Sequence, residues 1–317
     1  MTWTVRPASA DVAELAAIAD LVTAVTPDDP ASVEDMRWTD ATYPGGRRFV
    51  AELDGQLVGA ASVGRIQMYP PEFERLWIGG AVRPEHRRQG IGSAFLAAIS
   101  AHAREAGKTG LQTDVSELHA DGIAFLTHRG FVELERAKSV RLELTGLAPP
   151  PVEPPPGIEL TTLADRPELV VGVHAVAEAA FPGIPGAGEP IEAGDLTEFR
   201  ARDVDRPGIP HDAFQVAIDT ATGSVVGYAS LMLVPGRPDL AWHDMTAVLP
   251  AYRGRGIATT LKRGTVAWAI AAGLTALETG NDVDNAPMRA VNAKLGFQPL
   301  PDTVTLRGPL VGGMMPG

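Results

Sequence analysis

The sequence predicts an α/β fold of the α+β mixed-sheet kind, built twice in tandem, each copy a mostly antiparallel mixed sheet flanked by helices. Three observations predict it. The 317 residues suggest two domains at about 150 residues each. Pro149 to Gly157, PPPVEPPPG, holds six prolines in eight residues, which can neither continue a helix nor donate to a strand ladder and so form a stiff spacer. The flanks of that spacer repeat: Val82-Arg83-Pro84-Glu85-His86-Arg87-Arg88-Gln89-Gly90-Ile91-Gly92 matches Val248-Leu249-Pro250-Ala251-Tyr252-Arg253-Gly254-Arg255-Gly256-Ile257-Ala258, and Gly130-Phe131 matches Gly296-Phe297, both at an offset of 166. Two matches at one offset mean a duplicated domain. The expected division is residues 1–148, a Pro-rich linker at 149–157, and residues 158–317.

Each half reads in the same order. Thr2–Val5 predicts a short strand and Asp11–Val25 an amphipathic helix, and Ser32-Val33-Glu34-Asp35 resembles a capping box opening a second helix. Arg48–Leu53 and Val58–Gln67 read as strands around an Asp54-Gly55 turn, a strong hairpin signal. Strand Leu76–Val82, a Gly-bearing loop and helix Ile91–Ala106 follow, then strand Leu111–Val115, a helix before Gly130, and strands near Phe131 and at Val140–Leu144. The second half repeats the scheme with Phe214–Asp219, Val225–Val234, Ala241–Val248, helix Ile257–Ala272, Leu274–Thr279 and helix Ala286–Lys294, plus a Gly/Pro-rich insertion from Phe181. Hairpins followed by strand–helix–strand units give a mixed sheet with helices packed on it.

Charge and composition narrow the partners. The 27 Lys+Arg against 39 Asp+Glu leave a net charge of −12, against a nucleic-acid partner, which calls for a basic stripe. The absence of cysteine removes disulfides, thiolate metal sites and Cys nucleophiles, and fits a reducing compartment. Gly264–Leu277, the longest mostly apolar run, falls short of the roughly 20 residues a bilayer span needs, and the amino terminus lacks the pattern of a signal peptide. No membrane partner is expected, and the expected location is cytoplasmic. The seven His show no metal-ligand spacing, so no metal is expected. Oligomeric state is not legible in the chain.

Chemistry is carried by R-x-x-G-x-[GA] between a strand and a helix: Arg87, Gly90 and Gly92 in one copy, Arg253, Gly256 and Ala258 in the other. Small residues let a ligand approach the backbone, free N–H groups at a helix start favour an anion, and Arg adds charge. A phosphate or pyrophosphate is the natural guest. A dinucleotide fold wants a third Gly where Phe95 and Thr259 stand, although Asp114, at a strand end roughly 20 residues on, keeps that alternative open. Gly107-Lys108-Thr109 lacks the upstream Gly of a P-loop, since His102 stands there.

Val-x-Pro-x-[His/Tyr]-Arg-x-x-Gly-Ile-[Gly/Ala], followed by helix, strand and a helix ending in Gly-Phe, resembles the GNAT N-acetyltransferase superfamily, whose tandem members include the mycothiol synthases. Asn281-Asp282-Val283-Asp284-Asn285-Ala286-Pro287-Met288 and Asn292-Ala293-Lys294-Leu295-Gly296-Phe297 are similar to the acceptor-side strand and final helix of that superfamily. The resemblance implies acetyl-CoA as co-substrate, its pyrophosphate on the backbone of Arg253, Gly254, Arg255, Gly256, Ile257 and Ala258, and in the first half on Arg87, Arg88, Gln89, Gly90, Ile91 and Gly92. It further implies that the pantetheine arm pairs with the strand edge ending at Val248, or Val82, and that Asn285 contacts the cofactor.

An alkyl ammonium of pKa about 10.4 must lose a proton before it attacks. Asp244, four residues before Val248, is the candidate base, with His243 on the opposite face of the strand and Ile78 expected at the matching place in the first half. Many relatives protonate the leaving thiolate with a Tyr in the last helix; Asn292 and Leu126 occupy that place, and Asn292 could donate only a hydrogen bond. Tyr228 and Tyr252 read as packing residues. Glu189, Glu192, Asp195 and Glu198 lie where the resemblance implies that the acceptor binds, which suggests a cationic amine, but Arg200, Arg202 and Arg206 follow closely and the mixed charges read rather as a solvated helix face. The resemblance therefore implies an N-acetyltransferase acting on a small-molecule primary amine by direct attack, catalysed in the second half. A CoA-binding sensor or scaffold without turnover, and a mycothiol-synthase-type enzyme, remain the alternatives.

Overall fold

The computed structural model describes residues 3–184 and 191–312. The chain divides into two compact units, residues 1–134 with 304–317, and residues 135–303.

In the first unit β1 (Thr4–Pro7), β2 (Arg47–Leu53), β3 (Gln56–Arg65) and β4 (Arg75–Val82) form an antiparallel meander. The helices α1 (Val12–Val25) and α2 (Val33–Thr42) lie between β1 and β2 in sequence. Ser32 caps α2, its Oγ accepting from the Asp35 amide at 3.0 Å, and Asp54 and Gly55 take positive φ (51° and 79°) in the two-residue β2–β3 turn. α3 (Ile91–Glu105) then leads to β5 (Gly110–Ser116), which pairs with β4 in parallel, and α4 (Ala120–Thr127) follows. Ile91, Phe95, Leu96, Ile99 and Ala103 recur at helical spacing on α3 and pack against Ala61, Val63, Leu76, Ile78 and Leu111 of the sheet. Ile18 and Leu21 of α1 cover the other face over Val50, Ala60 and Ala81.

The second unit repeats the plan. β7 (Ile158–Thr162), β8 (Gln215–Asp219), β9 (Val225–Val234) and β10 (Arg237–Val248) form the meander. α5 (Val170–Ala180) and the short α6 (Leu196–Phe199), which runs on into a π-helical turn at Arg200–Val204, lie between β7 and β8 in sequence. α7 (Ile257–Ala271), β11 (Ala276–Asp282), parallel to β10, and α8 (Ala286–Lys294) follow.

The outermost strands depart from the expected division. The first half ends in one long strand, β6 (Val132–Glu143), where two short ones were expected, and residues 137–143 of it pair with β11 in the second unit. The short β12 (Gln298–Pro299) pairs with β6 as well. The last strand, β13 (Thr303–Pro309), lies beside β5 in the first unit. The sheet orders are thus β1-β2-β3-β4-β5-β13 and β6-β11-β10-β9-β8-β7. Each unit completes its sheet with a strand from the other half of the chain. The expected boundaries at 148 and 158 do not coincide with this division, and the Pro-rich segment falls inside the second unit. There the Thr260 hydroxyl donates to the Glu153 carbonyl at 3.4 Å and the Ile158 amide to that of Pro155 at 3.0 Å.

Candidate active site

In the second unit the parallel pairing of β10 with β11 covers only Leu240–Trp242 against Ala276–Glu278, although both strands run further. Beyond Trp242 they diverge, leaving a strand edge of β10 free on that side. The Thr279 hydroxyl closes the first gap by donating to the His243 carbonyl at 2.9 Å. On its other side β10 pairs with β9, and that ladder slips between His243 and Thr246: His243 lies across from Leu231 but Thr246 across from Ala229. One extra residue therefore sits at Asp244-Met245 opposite Ser230. This is a β-bulge, which re-aims side chains and removes amides from the ladder. The Met245 amide donates to Ser230 Oγ at 3.3 Å instead.

His243 and Asp244 face opposite sides. His243 is fully buried under α7, its Nε2 2.9 Å from Thr265 Oγ1, which itself donates to the Lys262 carbonyl at 2.8 Å. With its one proton so committed, the Thr265 hydroxyl accepts from Nε2–H, which leaves His243 Nδ1 as a bare acceptor without a partner. Burial and the neighbouring Lys262 hold His243 well below its ordinary pKa, and burial lowers Lys262 to about 7. Lys262 Nζ lies 5.7 Å from the centre of the Phe297 ring.

Asp244 is open to solvent, yet it is recessed among protein atoms whose desolvation raises its pKa, against Arg206, Arg202 and a hydrogen bond with Ser230. Arg202 and Asp203 come from the π-helical turn and are buried, correcting the expectation of a solvated helix face. Arg202 Nη2 lies 2.7 Å from Asp203 Oδ2 and donates to the Ala193 carbonyl at 3.0 Å. Burial pushes Asp203 up to about 6 despite Arg202, and the charge of Asp244 adds to the rise. Tyr228 packs between Phe214 and Phe199, ring centroids 5.5 and 6.4 Å away. Its buried hydroxyl has no hydrogen-bond partner and feels the charges of Asp203 and Asp244. Arg202, Asp203, Ser230 and Tyr228 were thus missed or discounted as site residues; the R-x-R-D run at 200–203 was the available signal. Glu189 lies outside the described residues. Asp195 caps α6, its Oδ1 accepting from the Glu198 amide at 2.8 Å.

The strand after the bulge ends at Val248, whose carbonyl accepts from Arg253 Nε at 3.2 Å. Gly254 and Gly256 adopt left-handed φ of 75° and 86°, and a Cβ at Gly254 would meet nothing within 4 Å. Arg255 lies over the Tyr252 ring at 5.1 Å, and the Tyr252 hydroxyl donates to Asp219 at 2.7 Å. Gly256 is the N-cap of α7 and offers no side-chain cap, so the amides of Ile257, Ala258 and Thr259 face an exposed, glycine-lined turn. Ile257 itself is buried and anchors the helix. These residues fit an anionic diphosphate. Asn285 caps α8 by accepting from the Met288 amide at 3.3 Å, and the buried Asn292 donates Nδ2 to Asn281 Oδ1 at 2.6 Å, leaving its own Oδ1 unpartnered.

The first unit shares the turn but not the bulge. Gly90 is a left-handed N-cap (φ 92°), Arg88 also has positive φ (62°), and Arg87 Nε donates to the Val82 carbonyl at 3.1 Å. Trp3 Nε1 donates to the Gln89 carbonyl at 3.0 Å, and Trp3 Cζ2 would lie 3.4 Å from a Cβ on Gly90. A Cβ on Gly92 would meet the Phe125 ring at 3.2 Å, and Ile91 is buried. The β3–β4 ladder runs without a shift from Gly59–Val82 to Arg65–Leu76. Ile78 lies across from Val63 in it and faces the α3 core, the rung that His243 fills in the second unit. The expected equivalence of Ile78 with Asp244 is therefore corrected: Gly79, across from Ser62, takes the place of the bulge.

Residues 15–131 and 178–297 each match the model of the acetyltransferase (GNAT) family. The mycothiol acetyltransferase of Brachybacterium faecium is 30% identical over 235 residues, 73% of this chain and 67% of that protein. Among solved structures, a tandem GNAT protein from the clavulanic acid biosynthesis pathway superimposes with a TM-score of 0.78 at 24% identity, covering 99% of this chain and 100% of that one. The GCN5-related N-acetyltransferase from Sphaerobacter thermophilus gives 0.72 at 18% identity, covering 98% and 97%. These two structures share the fold. No helix among the described residues is long and apolar enough to cross a membrane.

Proposed function

The chain belongs to the GNAT acetyltransferase family, whose members transfer an acetyl group from acetyl-CoA, and on that premise we propose that its second unit acetylates a primary amine. The observation that carries this reading is the bulge at Asp244-Met245, where a recessed carboxylate shares a parted strand edge with an uncapped glycine turn. Arg253 to Ala258 would hold the diphosphate, the free edge of β10 up to Val248 would align the pantetheine arm, and an amide freed from the ladder would polarise the thioester carbonyl. Asp244 would hold the acceptor ammonium by charge and then take its proton. The neutral nitrogen attacks the thioester carbon, a C–N bond replaces the C–S bond, and sulfur departs as a thiolate that Asn292 would steady with its remaining N–H until it takes up the second proton, the one released as the attacking nitrogen becomes an amide. A thiol of pKa about 8.5 leaves without a strong acid.

Asp244→Asn tests the assignment. It keeps shape and hydrogen bonding, so acetyl-CoA affinity should hold while turnover of a confirmed amine falls about 10²–10⁴-fold at neutral pH, with partial recovery at high pH. Unchanged turnover would move the base elsewhere. The mycothiol acetyltransferase relative supports a second reading, in which the acceptor is that of mycothiol synthesis, and offering that acceptor to the purified chain separates the two.

A further inference from the structure

Four core positions of the second unit carry polar side chains where the first unit is apolar. Strand register and the shared glycine turn match Gln215 of β8 with Phe49, His243 of β10 with Ile78, and Lys262 and Thr265 of α7 with Leu96 and Ile99. The four apolar residues all belong to the core under α3. The four polar ones are all buried, Lys262 to 1% exposure. Thr265 ties them together, because its Oγ1 donates to the Lys262 carbonyl at 2.8 Å and lies 2.9 Å from His243 Nε2. Lys262 is the costly member. No carboxylate faces its ammonium and no hydrogen bond reaches it among the described residues, and it lies 5.7 Å from the centre of the Phe297 ring. Leu96 shows that the same helix position packs without a charge. An unpaired buried cation lowers stability, so its retention calls for a role.

Its place supplies one. The last rung between β10 and β11 is Trp242–Glu278, and His243 is the next residue of β10. The His243 carbonyl takes the Thr279 hydroxyl across the opening gap at 2.9 Å, and its ring is joined to the Lys262 turn through Thr265. Phe297 adjoins α8, its amide donating to the Asn292 carbonyl at 3.2 Å, and Asn292 reaches Asn281 on β11. Lys262 therefore stands on the α7 side of the closed end of the wedge, next to the bulge that follows His243. Asp244 faces the other side of β10. Acyl transfer removes a proton from nitrogen and delivers one to sulfur, on different sides of the reacting carbon, and an acid and a base kept on opposite faces of a strand do not neutralise each other. We propose that Lys262 is the proton donor to the departing sulfur of acetyl-CoA in the second unit. This rests on the assignment of acetyl transfer to that unit. As the C–S bond breaks its electron pair passes to sulfur, and Lys262 Nζ gives sulfur a proton. The amine left on Lys262 takes up the proton released when the attacking nitrogen becomes an amide. Burial lowers Lys262 to about 7, where a donor loses and regains its proton at neutral pH. His243, the titratable group facing it from β10, is kept neutral by burial and by that ammonium, while Gln215, Leu231, Leu277, Thr279 and Phe297 add no charge to this layer.

The test follows the thiol of bound CoA in a Gly90→Val background, in which strain at a φ of 92° closes the turn of the first unit to the ligand. Ultraviolet absorbance of the thiolate is titrated against pH for that chain and with Lys262→Met or Lys262→Gln added, two changes that remove the charge and leave no large hole. The bound thiol is expected to titrate below its free value of about 8.5, and both changes to raise it by about one unit or more, because a neighbouring cation favours the thiolate. With a confirmed amine, kcat of the same variants should fall at least about tenfold at neutral pH, with KM for acetyl-CoA little changed. The role of Lys262 is overturned if folded variants that still bind CoA leave either the thiol pKa or kcat unmoved, and the assignment of acetyl transfer to the second unit then stands. Calorimetry showing no CoA bound at the second unit of the Gly90→Val chain removes that assignment and this role with it.

Discussion

Trp77 and Trp242 occupy the same rung of their sheets, the last before the central strands part, with Trp77 beside Gln112 and Trp242 beside Glu278. They are 165 residues apart, whereas the glycine turns that follow are 166 apart. The additional residue is the bulge at Asp244-Met245, and it distinguishes the two units chemically: it turns a carboxylate toward the recess and takes an amide out of the ladder.

Ser230 supports that bulge, so Ser230→Ala should act on Asp244. The hydrogen bond from Ser230 lowers the pKa of Asp244, and its loss raises it further. A base must be deprotonated to work, so the acidic limb of the kcat/KM profile should move to higher pH while acetyl-CoA affinity stays level. An unmoved limb would separate Ser230 from the base.

Gly256→Val should weaken acetyl-CoA binding at the second unit at least tenfold. The new side chain is strained at a φ of 86°, and it stands in the turn where backbone amides must meet the ligand. Calorimetry on the purified variant reads the effect. Undiminished affinity at that unit would remove the diphosphate assignment.

Asn292→Leu installs the residue found in the first unit, Leu126. With the amide gone, Asn281 loses its donor at 2.6 Å, and a cost of about 1–3 kcal/mol in stability is expected. A role at the leaving sulfur predicts in addition a kcat loss of about tenfold with KM little changed. Turnover measured well below the melting temperature separates the two effects.

Lys262 gives the stability of the second unit a pH dependence of definite sign. Its native pKa of about 7 lies below the ordinary lysine value of 10.5, so between these values the unfolded chain binds more protons. The cost of burial is therefore full below about pH 7 and fades as pH rises toward 10.5. Lys262→Met keeps the contact with Phe297 and removes the charge; it should raise the melting temperature by several degrees near pH 6, with the gain shrinking by pH 10. An equal gain at both pH values would mean that the buried lysine titrates at its ordinary value, charged and solvated in the native state.

Local signals in the sequence determined much of this protein. The Asp54-Gly55 turn, the Ser32 cap, the apolar spacing from Ile91 to Ala103 and the repeated Arg-x-x-Gly turn each involve neighbours in the chain, and each appears in the structure close to where it was expected. The duplication, and through it the family, was legible for the same reason. Tertiary structure decided what depends on distant pairing. The exchange of β6 and β13 is a choice among strands with similar alternation, which no local pattern encodes. The bulge is one residue in a long ladder, and a slip of one residue sends the side chains before it to the opposite face, so Ile78 matches His243 and not Asp244. Arg202 read as a solvated charge until a π-helical turn buried it together with Asp203. Sequence alone cannot assign the ionisation of such groups, because it is set by the protein mass and charge that folding places around them.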